Sequence, residues 1–481
     1  MTSTCLPSPT ALAPTFEFKQ FYLACLAQAS YLLGSNGEAA IVDPRRDVSV
    51  YIEEAKARGL TIRYVIETHL HADFVSGHKE LSERTGAPIL ISRKANALYE
   101  HRGVDDGDEV RVGALSLRIL ETPGHTPESI SILVTDTSVS EMPRMVLTGD
   151  TLFIGDVGRP DLLGSKGLTA DHMAGLMYDS LHTKLLPLAD DVLVYPAHGA
   201  GSLCGKNLSK ETFATMGTQR ATNVALQPMS RDEFIRFLTA DAPETPRYFP
   251  MDVEINRQGA ASLGRESAPE SLTVEAFVQR KEEGAVILDV RPSADYAIAH
   301  IPRSMNIGLG GQFASWAGTL LDPKRDILIV AESESDALEA RTRLARVGLE
   351  RTVGWLADGM NAWKAATLPV EAMQQLTVFE LHALLTNPGP RSARPVQVVD
   401  VRRNGEWQAG HIAGALHAPL HQLEDHAAYL DPTIPTYVMC GGGYRSVMAT
   451  EILQEMGVRQ VIDVKGGMAE WNAQGLPTVT P

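Results

Sequence analysis

The sequence predicts an α/β protein in which a metal-binding N-terminal domain precedes a domain that occurs twice. Three observations carry this. Histidines and aspartates fall at the ends of strand-like apolar runs in the first half. The second half repeats its own motifs at an offset of about 110 residues. In both copies short β-branched runs alternate with helix-like stretches, the pattern of a parallel sheet with crossover helices.

In the first half, the extended run Thr61 to Thr68 leads directly into Thr68-His69-Leu70-His71-Ala72-Asp73-Phe74. Two imidazoles and a carboxylate at this spacing suit a divalent metal, because each offers a lone pair at a fixed angle. Pro123-Gly124-His125-Thr126 follows the strand-like Val110 to Leu120, Thr148-Gly149-Asp150 closes Met145 to Leu147, and Pro196-Ala197-His198-Gly199 closes Val192 to Tyr195. Loops leaving one sheet edge can converge on a single ion.

Length and composition bound the rest. At ~150 residues per domain, 481 residues suggest about three domains, and 44% hydrophobic content is ample for several cores. No stretch approaches the ~18 apolar residues of a membrane span. Met1 to Pro14 lacks the basic start and apolar core of a secretory signal, so a disordered tail and a cytoplasmic location are expected. A net charge of −16 disfavours nucleic acid. The four cysteines, Cys5, Cys25, Cys204 and Cys440, are too scattered for a disulfide framework. Cys25, in the apolar segment Phe21 to Leu33, reads as a small buried hydrophobe.

In the repeat, Asp289-Val290-Arg291 precedes Ala299-His300-Ile301 as Asp400-Val401-Arg402 precedes Gly410-His411-Ile412. Gly359-Met360-Asn361-Ala362-Trp363 recurs as Gly467-Met468-Ala469-Glu470-Trp471, each with Leu-Pro beyond it. Strands are predicted at Val286 to Val290, Asp326 to Val330, Val396 to Val401 and Thr436 to Met439. Residues 241–269 carry prolines without sustained helical periodicity and read as a connecting region, while 387–395 reads as a surface loop. The resulting division is a tail (1–14), a metal domain (15–255), a linker (256–269), a first repeat (270–372) and a second repeat (373–481).

The second repeat holds a reactive cysteine. The strand Thr436 to Met439 ends in Cys440-Gly441-Gly442-Gly443-Tyr444-Arg445-Ser446, and the helical run Val447 to Met456 follows. Glycines let the backbone curl so that several N–H groups face one point near a helix N-terminus, which should depress a thiol pKa. In the first repeat Ala331 takes the place of Cys440, Glu332, Ser333 and Glu334 replace the glycines, and Asp336 stands near the place of Arg445. That copy should be inactive.

The order HxHxD, GHT, GD and PAH resembles the metallo-β-lactamase superfamily over roughly residues 15–255. The resemblance implies an αββα sandwich with a metal site at one edge. Residues 375–481 resemble rhodanese sulfurtransferases, with the DVR, GHI and GGMAEW segments as further matches. Four residues separate Cys440 from Arg445, as in the sulfur-transferring members of that family. The implied roles are persulfide carrier for Cys440, loop amides for Gly441, Gly442, Gly443 and Tyr444, and electrostatic partner for Arg445.

Within the metallo-β-lactamase superfamily, two-zinc hydrolases complete the first motif as HxHxDH, and this chain has Phe74 there. The sequence instead is similar to the persulfide dioxygenases. That likeness implies one Fe(II) on His69, His125 and Asp150, with His71, Asp73 and His198 orienting ligands and water around it. It also implies a substrate-binding role for Arg159 in Gly158-Arg159-Pro160-Asp161. Cys204, six residues after His198, resembles multidomain dioxygenase–sulfurtransferase fusions and suits a sulfur relay. The expected activity is oxidation of a thiol persulfide, glutathione-like, with O2 to sulfite, coupled to sulfur transfer that makes or consumes thiosulfate in sulfide detoxification. A homo-oligomer is expected, with no nucleic-acid or membrane partner. The alternatives are a two-zinc thioester hydrolase of the glyoxalase II type, and a sulfur-relay protein whose metal domain is structural.

Overall fold

The computed structural model describes residues 16–162, 167–206, 208–240, 245–263, 268–386 and 396–481. The expected tail with Cys5 and the loop 387–395 lie outside the described residues. Contacts divide the chain into two compact units, Met1–Glu266 with Ala345–Gly348, and Ser267–Leu344 with Leu349–Pro481. Among the described residues no helix is long and apolar enough to cross a membrane.

The first unit is a four-layer sandwich. One six-stranded sheet runs in order β1 (Glu17–Leu23), β2 (Gln28–Ser35), β3 (Glu38–Val42), β4 (Thr61–Ile66), β5 (Ile89–Ser92), β6 (Arg102–Val104). The other contains β7 (Glu109–Val112), β8 (Leu115–Glu121), β9 (Ile130–Asp136), β10 (Met145–Gly149), β11 (Leu193–Pro196) and β12 (Ala214–Thr215), again neighbouring in chain order. Alternation along each strand sends Tyr31, Leu33, Val42 and Ile66 inward to meet Leu117, Ile119, Ile132 and Leu147 between the sheets. The opposite faces are also buried, which is why these strands read as near-continuous apolar runs. Leu32, Ile41 and Val65 pack under Tyr51 and Ala55 of α1 (Ser49–Ala57) and Leu81 of α2 (His78–Thr85). Leu133, Val146 and Val194 pack under Ala174 and Met177 of α3 (Ala170–Ser180). Beyond α4 (Met216–Thr222), α5 (Arg231–Thr239) adds Phe234 and Leu238 to that same layer.

Three sequence expectations change here. The run Val110 to Leu120 is a hairpin rather than one strand: Val112 pairs with Leu115 across Gly113-Ala114, and Gly113 has φ +55°. Cys25 is half-exposed in the turn between β1 and β2, because the apolar segment around it folds back on itself. The proline-bearing stretch contains a helix, α6 (Phe249–Gln258), with a proline in its first turn, where a missing N–H costs nothing. The boundary expected at residue 255 falls inside α6.

The second unit holds two five-stranded, wholly parallel sheets of like topology. The first is ordered β13 (Ser271–Leu272), β17 (Thr352–Leu356), β16 (Ile327–Val330), β14 (Val286–Asp289), β15 (Ser304–Asn306). The second is ordered β18 (Gln374–Leu376), β22 (Val461–Val464), β21 (Thr436–Met439), β19 (Gln397–Asp400), β20 (Leu416–His417). The registers coincide: Asp289 lies opposite Val330 as Asp400 lies opposite Met439.

The repeated motifs are the shared frame. Arg291 forks onto Asp289, and Arg402 onto Asp400, with closest contacts of 2.6 and 2.7 Å. Trp363 donates its indole N–H to Pro369 O at 2.8 Å, and Trp471 to Pro477 O at 3.1 Å.

Candidate functional site

β8, β10 and β11 all run the same way, since β9 is antiparallel to both β8 and β10 while β11 is parallel to β10. Their C-terminal loops therefore open at one edge and carry His125, Asp150 and His198. The loop after β4 joins them through Ile130 N–H, which donates to Thr68 O at 2.9 Å. Gly158 closes the floor: a Cβ there would collide with the Asp150 carbonyl oxygen.

His69, His125 and Asp150 come together as the sequence suggested. One ligand atom from each lies within 4.8 Å of the others, and all three residues are buried. The Thr68 hydroxyl donates its proton to Asp43 Oδ2 at 2.9 Å, so at 3.0 Å from His69 Nδ1 it accepts. His125 Nδ1 donates to the carbonyl of Arg159 at 2.9 Å. Both rings thus carry their proton on Nδ1 and aim the Nε2 lone pair inward. Neither Nε2 nor either Asp150 oxygen has a hydrogen-bond partner. Four buried, unsatisfied acceptors converging on one point fit a divalent cation. Burial, reinforced by neighbouring histidines, lowers the His69 pKa well below its ordinary value and also lowers that of His125, which keeps both as ligating neutral rings.

The other three predicted residues split. His71 turns away toward two carboxylates, with Nε2 3.2 Å from Asp43 Oδ1 and 3.6 Å from Glu67 Oε2. Burial alone would lower its pKa, but Asp43 and Glu67 outweigh it and raise it to about 9. Phe74, fully buried, packs its ring 4.3 Å from that of His71. His198 Nε2 faces Asp73 Oδ2 at 3.2 Å and Asp150 Oδ2 at 3.6 Å, while its Nδ1 contacts the Ala27 carbonyl. Asp73, His198 and Cys204 form a second set of ligand atoms within 4.8 Å. Burial first, then Asp73 and Asp150, push the Cys204 thiol up to about 12.

Arg159 forks onto Asp161 with two contacts of 2.7 Å and donates to Thr245 Oγ1 at 3.0 Å.

Residues missed in the sequence hold this loop in place. Asp43, at the end of β3, also accepts the Thr68 amide at 2.7 Å. Asn256 of α6 donates to the carbonyls of His71 and Phe74, both at 2.8 Å, and accepts the Ser76 amide at 2.8 Å. Asp43 was visible as a carboxylate closing the run Ala39 to Val42, whereas Asn256 was hidden by the linker reading.

In the second unit, Cys440 follows β21 and is fully buried beneath its loop. The Gly443 amide donates to Sγ at 3.0 Å, and Ser446 Oγ lies 3.4 Å away. Arg445 forks onto Glu406 at 2.6 and 2.7 Å, a partner the sequence reading did not name. Tyr444 sends its hydroxyl to the Gly308 carbonyl at 2.9 Å. A cavity of about 310 Å³ opens beside Cys440, Gly442 and Arg445. In the first repeat Ala331 occupies the equivalent strand end, and Ser333 and Asp336 bond each other at the start of the next helix. That copy has the frame and no thiol.

A buried ligand cluster at the loop edge of an αββα sandwich, followed in the chain by duplicated parallel α/β domains, defines a metalloprotein of composite class. The metallo-beta-lactamase superfamily model matches residues 23–198, and the rhodanese-like domain model matches 273–366 and 380–474. Persulfide dioxygenase ETHE1 of Homo sapiens is 32% identical over 213 residues, covering 44% of this chain and 75% of that one. Hydroxyacylglutathione hydrolase of Methylobacillus flagellatus is 27% identical, covering 56% of this chain and 96% of that one. The crystal structure of a metallo-beta-lactamase from Staphylococcus aureus subsp. aureus COL matches with TM-score 0.64 and 33% identity, covering 72% of this chain and 100% of that one.

With both family models in register on the two units, the chain belongs to the metallo-β-lactamase superfamily, as an ETHE1-like member that carries rhodanese-like domains. It is an enzyme with a metal cofactor.

Proposed function

We propose that this enzyme of sulfur metabolism is a non-haem Fe(II) persulfide dioxygenase coupled to a sulfurtransferase, acting on a low-molecular-weight persulfide such as glutathione persulfide. The observation that carries this reading is the division of the histidines. His69, His125 and Asp150 form one donor set, while His71 faces Asp43 and Glu67 beside Phe74. A two-His, one-carboxylate set on one ion suits Fe(II) better than a zinc pair.

When bound, Fe(II) supplies open positions where O2 and a persulfide sulfur can meet and exchange electrons. The overall change is RSSH + O2 + H2O → RSH + SO3²⁻ + 2H⁺, in which the outer sulfur loses four electrons to O2. Thr68 and the Arg159 carbonyl fix the two imidazoles by holding their Nδ1 protons. Asp73 and His198 hold water and protons at the edge of the site. Arg159, oriented by Asp161, serves the anionic end of the substrate. Cys204, beside His198, is the relay thiol.

In the second unit, the Cys440 thiolate attacks the outer sulfur of thiosulfate: S2O3²⁻ + Cys–S⁻ → Cys–S–S⁻ + SO3²⁻. A thiolate acceptor then takes that sulfur and regenerates Cys440. The Gly441–Tyr444 loop amides and Arg445 hold the persulfide charge in this reading.

The test is anaerobic metal quantification followed by O2 uptake with glutathione persulfide. One iron per chain and uptake far above that with glutathione alone are expected, with sulfite as product. A zinc pair, or uptake no faster than with the thiol, overturns the proposal. A second reading rests on the Asp73–His198–Cys204 set, which offers donors for another ion. It is a glyoxalase II-type hydrolase, and it requires two zincs and turnover of S-lactoylglutathione.

A further inference from the structure

Four residues from the second half of the chain, Ala345–Gly348, belong to the first unit. They form the turn that closes the helix Glu334–Ala345 of the cysteine-less repeat. Within the first unit this turn meets the ligand loop. The Arg346 carbonyl accepts the Val75 amide at 2.7 Å, next to Phe74, whose ring packs on His71. Arg346 Nε donates to Asp47 Oδ1 at 2.8 Å, and Asp47 also pairs with Arg45 at 2.8 Å. Pro44, in the same stretch as Asp47, accepts the Gly77 amide at 2.9 Å. Arg346 therefore spans both segments that frame the end of the ligand loop. Gly348, with φ +72°, lies against α6, the helix whose Asn256 holds the same loop. A Cβ on Gly348 would come within 2.8 Å of Asp252 Oδ1 and 2.9 Å of Ile255 Cδ1.

The second repeat has the same turn without these contacts. The Leu349 amide returns to Leu344 O as the Val458 amide returns to Leu453 O, both at 3.0 Å, which aligns Arg346, Val347 and Gly348 with Glu455, Met456 and Gly457. Arg346 and Val347 are buried, whereas Glu455 and Met456 are exposed. A Cβ on Gly457 would meet nothing within 4 Å. A guanidinium is buried only where its charge and hydrogen bonds are answered, so the turn is built for contact in one copy alone.

We propose that Arg346 is a positioning residue for the metal site, holding the Asp73–Ser76 end of the ligand loop so that His69, His125 and Asp150 retain their ion. This rests on the reading of those three residues as the metal ligands. The repeat without a thiol then supplies a working part of the metal-binding unit.

The experiment uses the full chain loaded anaerobically with Fe(II). It follows iron release to a ferrous chelator and amide hydrogen exchange of a peptide covering residues 70–77. Arg346→Ala should speed release about tenfold, the usual scale for losing a residue that supports a metal ligand. It should also raise exchange in that peptide and leave β8 and β9 protected. Arg346→Lys should recover part of both losses. Because Asp47 acts through the same contact, Arg346→Ala/Asp47→Asn should be no worse than Arg346→Ala alone. Gly348→Ala should resemble Arg346→Ala. Gly457→Ala, strained in the same way at φ +92°, should leave iron release unchanged.

Unchanged iron release or loop exchange in Arg346→Ala would overturn the proposal. So would a rise in exchange spread evenly over the first unit, additive losses in the double variant, or equal effects of the two glycine variants. A wild type that takes up no Fe(II) would instead overturn the ligand reading, and the exchange data would still decide whether Arg346 holds the loop.

Discussion

The Gly443 amide points at the Cys440 sulfur from 3.0 Å, in a loop where Gly443 adopts φ +94°. A side chain at 443 would strain that conformation, so the donor and the glycine are one requirement. Cys440→Ser should abolish thiosulfate:cyanide transfer and leave O2 uptake with glutathione persulfide intact, measured on the same preparation. Transfer above background in that variant would mean that Cys204 or another thiol carries sulfur.

The His69–His125–Asp150 cluster should hold one metal ion per chain. His125→Ala should lower the bound metal several-fold and persulfide-dependent O2 uptake at least as much, both read after anaerobic purification. Phe74→His should move metal content toward two per chain, since it restores an imidazole beside Asp73. No change in stoichiometry would show that the buried ring at 74 does not control the second site.

The forks Asp289–Arg291 and Asp400–Arg402 are buried at the centre of each repeat. Arg402→Ala should destabilise its domain by about 3–5 kcal/mol, because the carboxylate is left buried without its partner. Arg291→Ala should cost a similar amount in the other copy. Denaturant unfolding measures both, and a loss below about 1 kcal/mol would show that water reaches the stranded carboxylate.

Glu451 gives a stability effect with a defined sign. Burial, then Glu455 and Glu371, raise its pKa from the ordinary 4.5 to about 7, with Arg303 opposing. The folded chain therefore binds this proton more tightly than the unfolded chain. Stability falls as pH rises from about 4.5 to about 7, and the full penalty, on the order of 3 kcal/mol, stands above that window. Glu451→Gln should raise Tm at pH 8 more than at pH 5. An equal shift at both would remove the ionisation as its cause.

Much of this was legible because ligands and strand ends coincide in the chain. His69, His125 and Asp150 each follow an apolar run, and the Asp-Val-Arg and Gly-Met-x-x-Trp repeats mark structural contacts directly. Other features depend on distance across the fold. Glu406 meets Arg445 from 39 positions away, and Asn256 meets His71 from 185. Neither separation leaves a periodic or local signal. The Gly113 hairpin was lost because its turn, Gly113-Ala114, joins Val112 to Leu115 without a polar residue, so no change of composition announced it.

Asn256 satisfies three main-chain groups of the His71–Ser76 segment from inside α6. Any attempt to express the metal-binding half alone must keep this helix whole. A fragment cut at residue 248 would strand two carbonyls and an amide under the ligand loop, and it would misreport the enzyme as weak in metal for reasons unrelated to the ligands themselves.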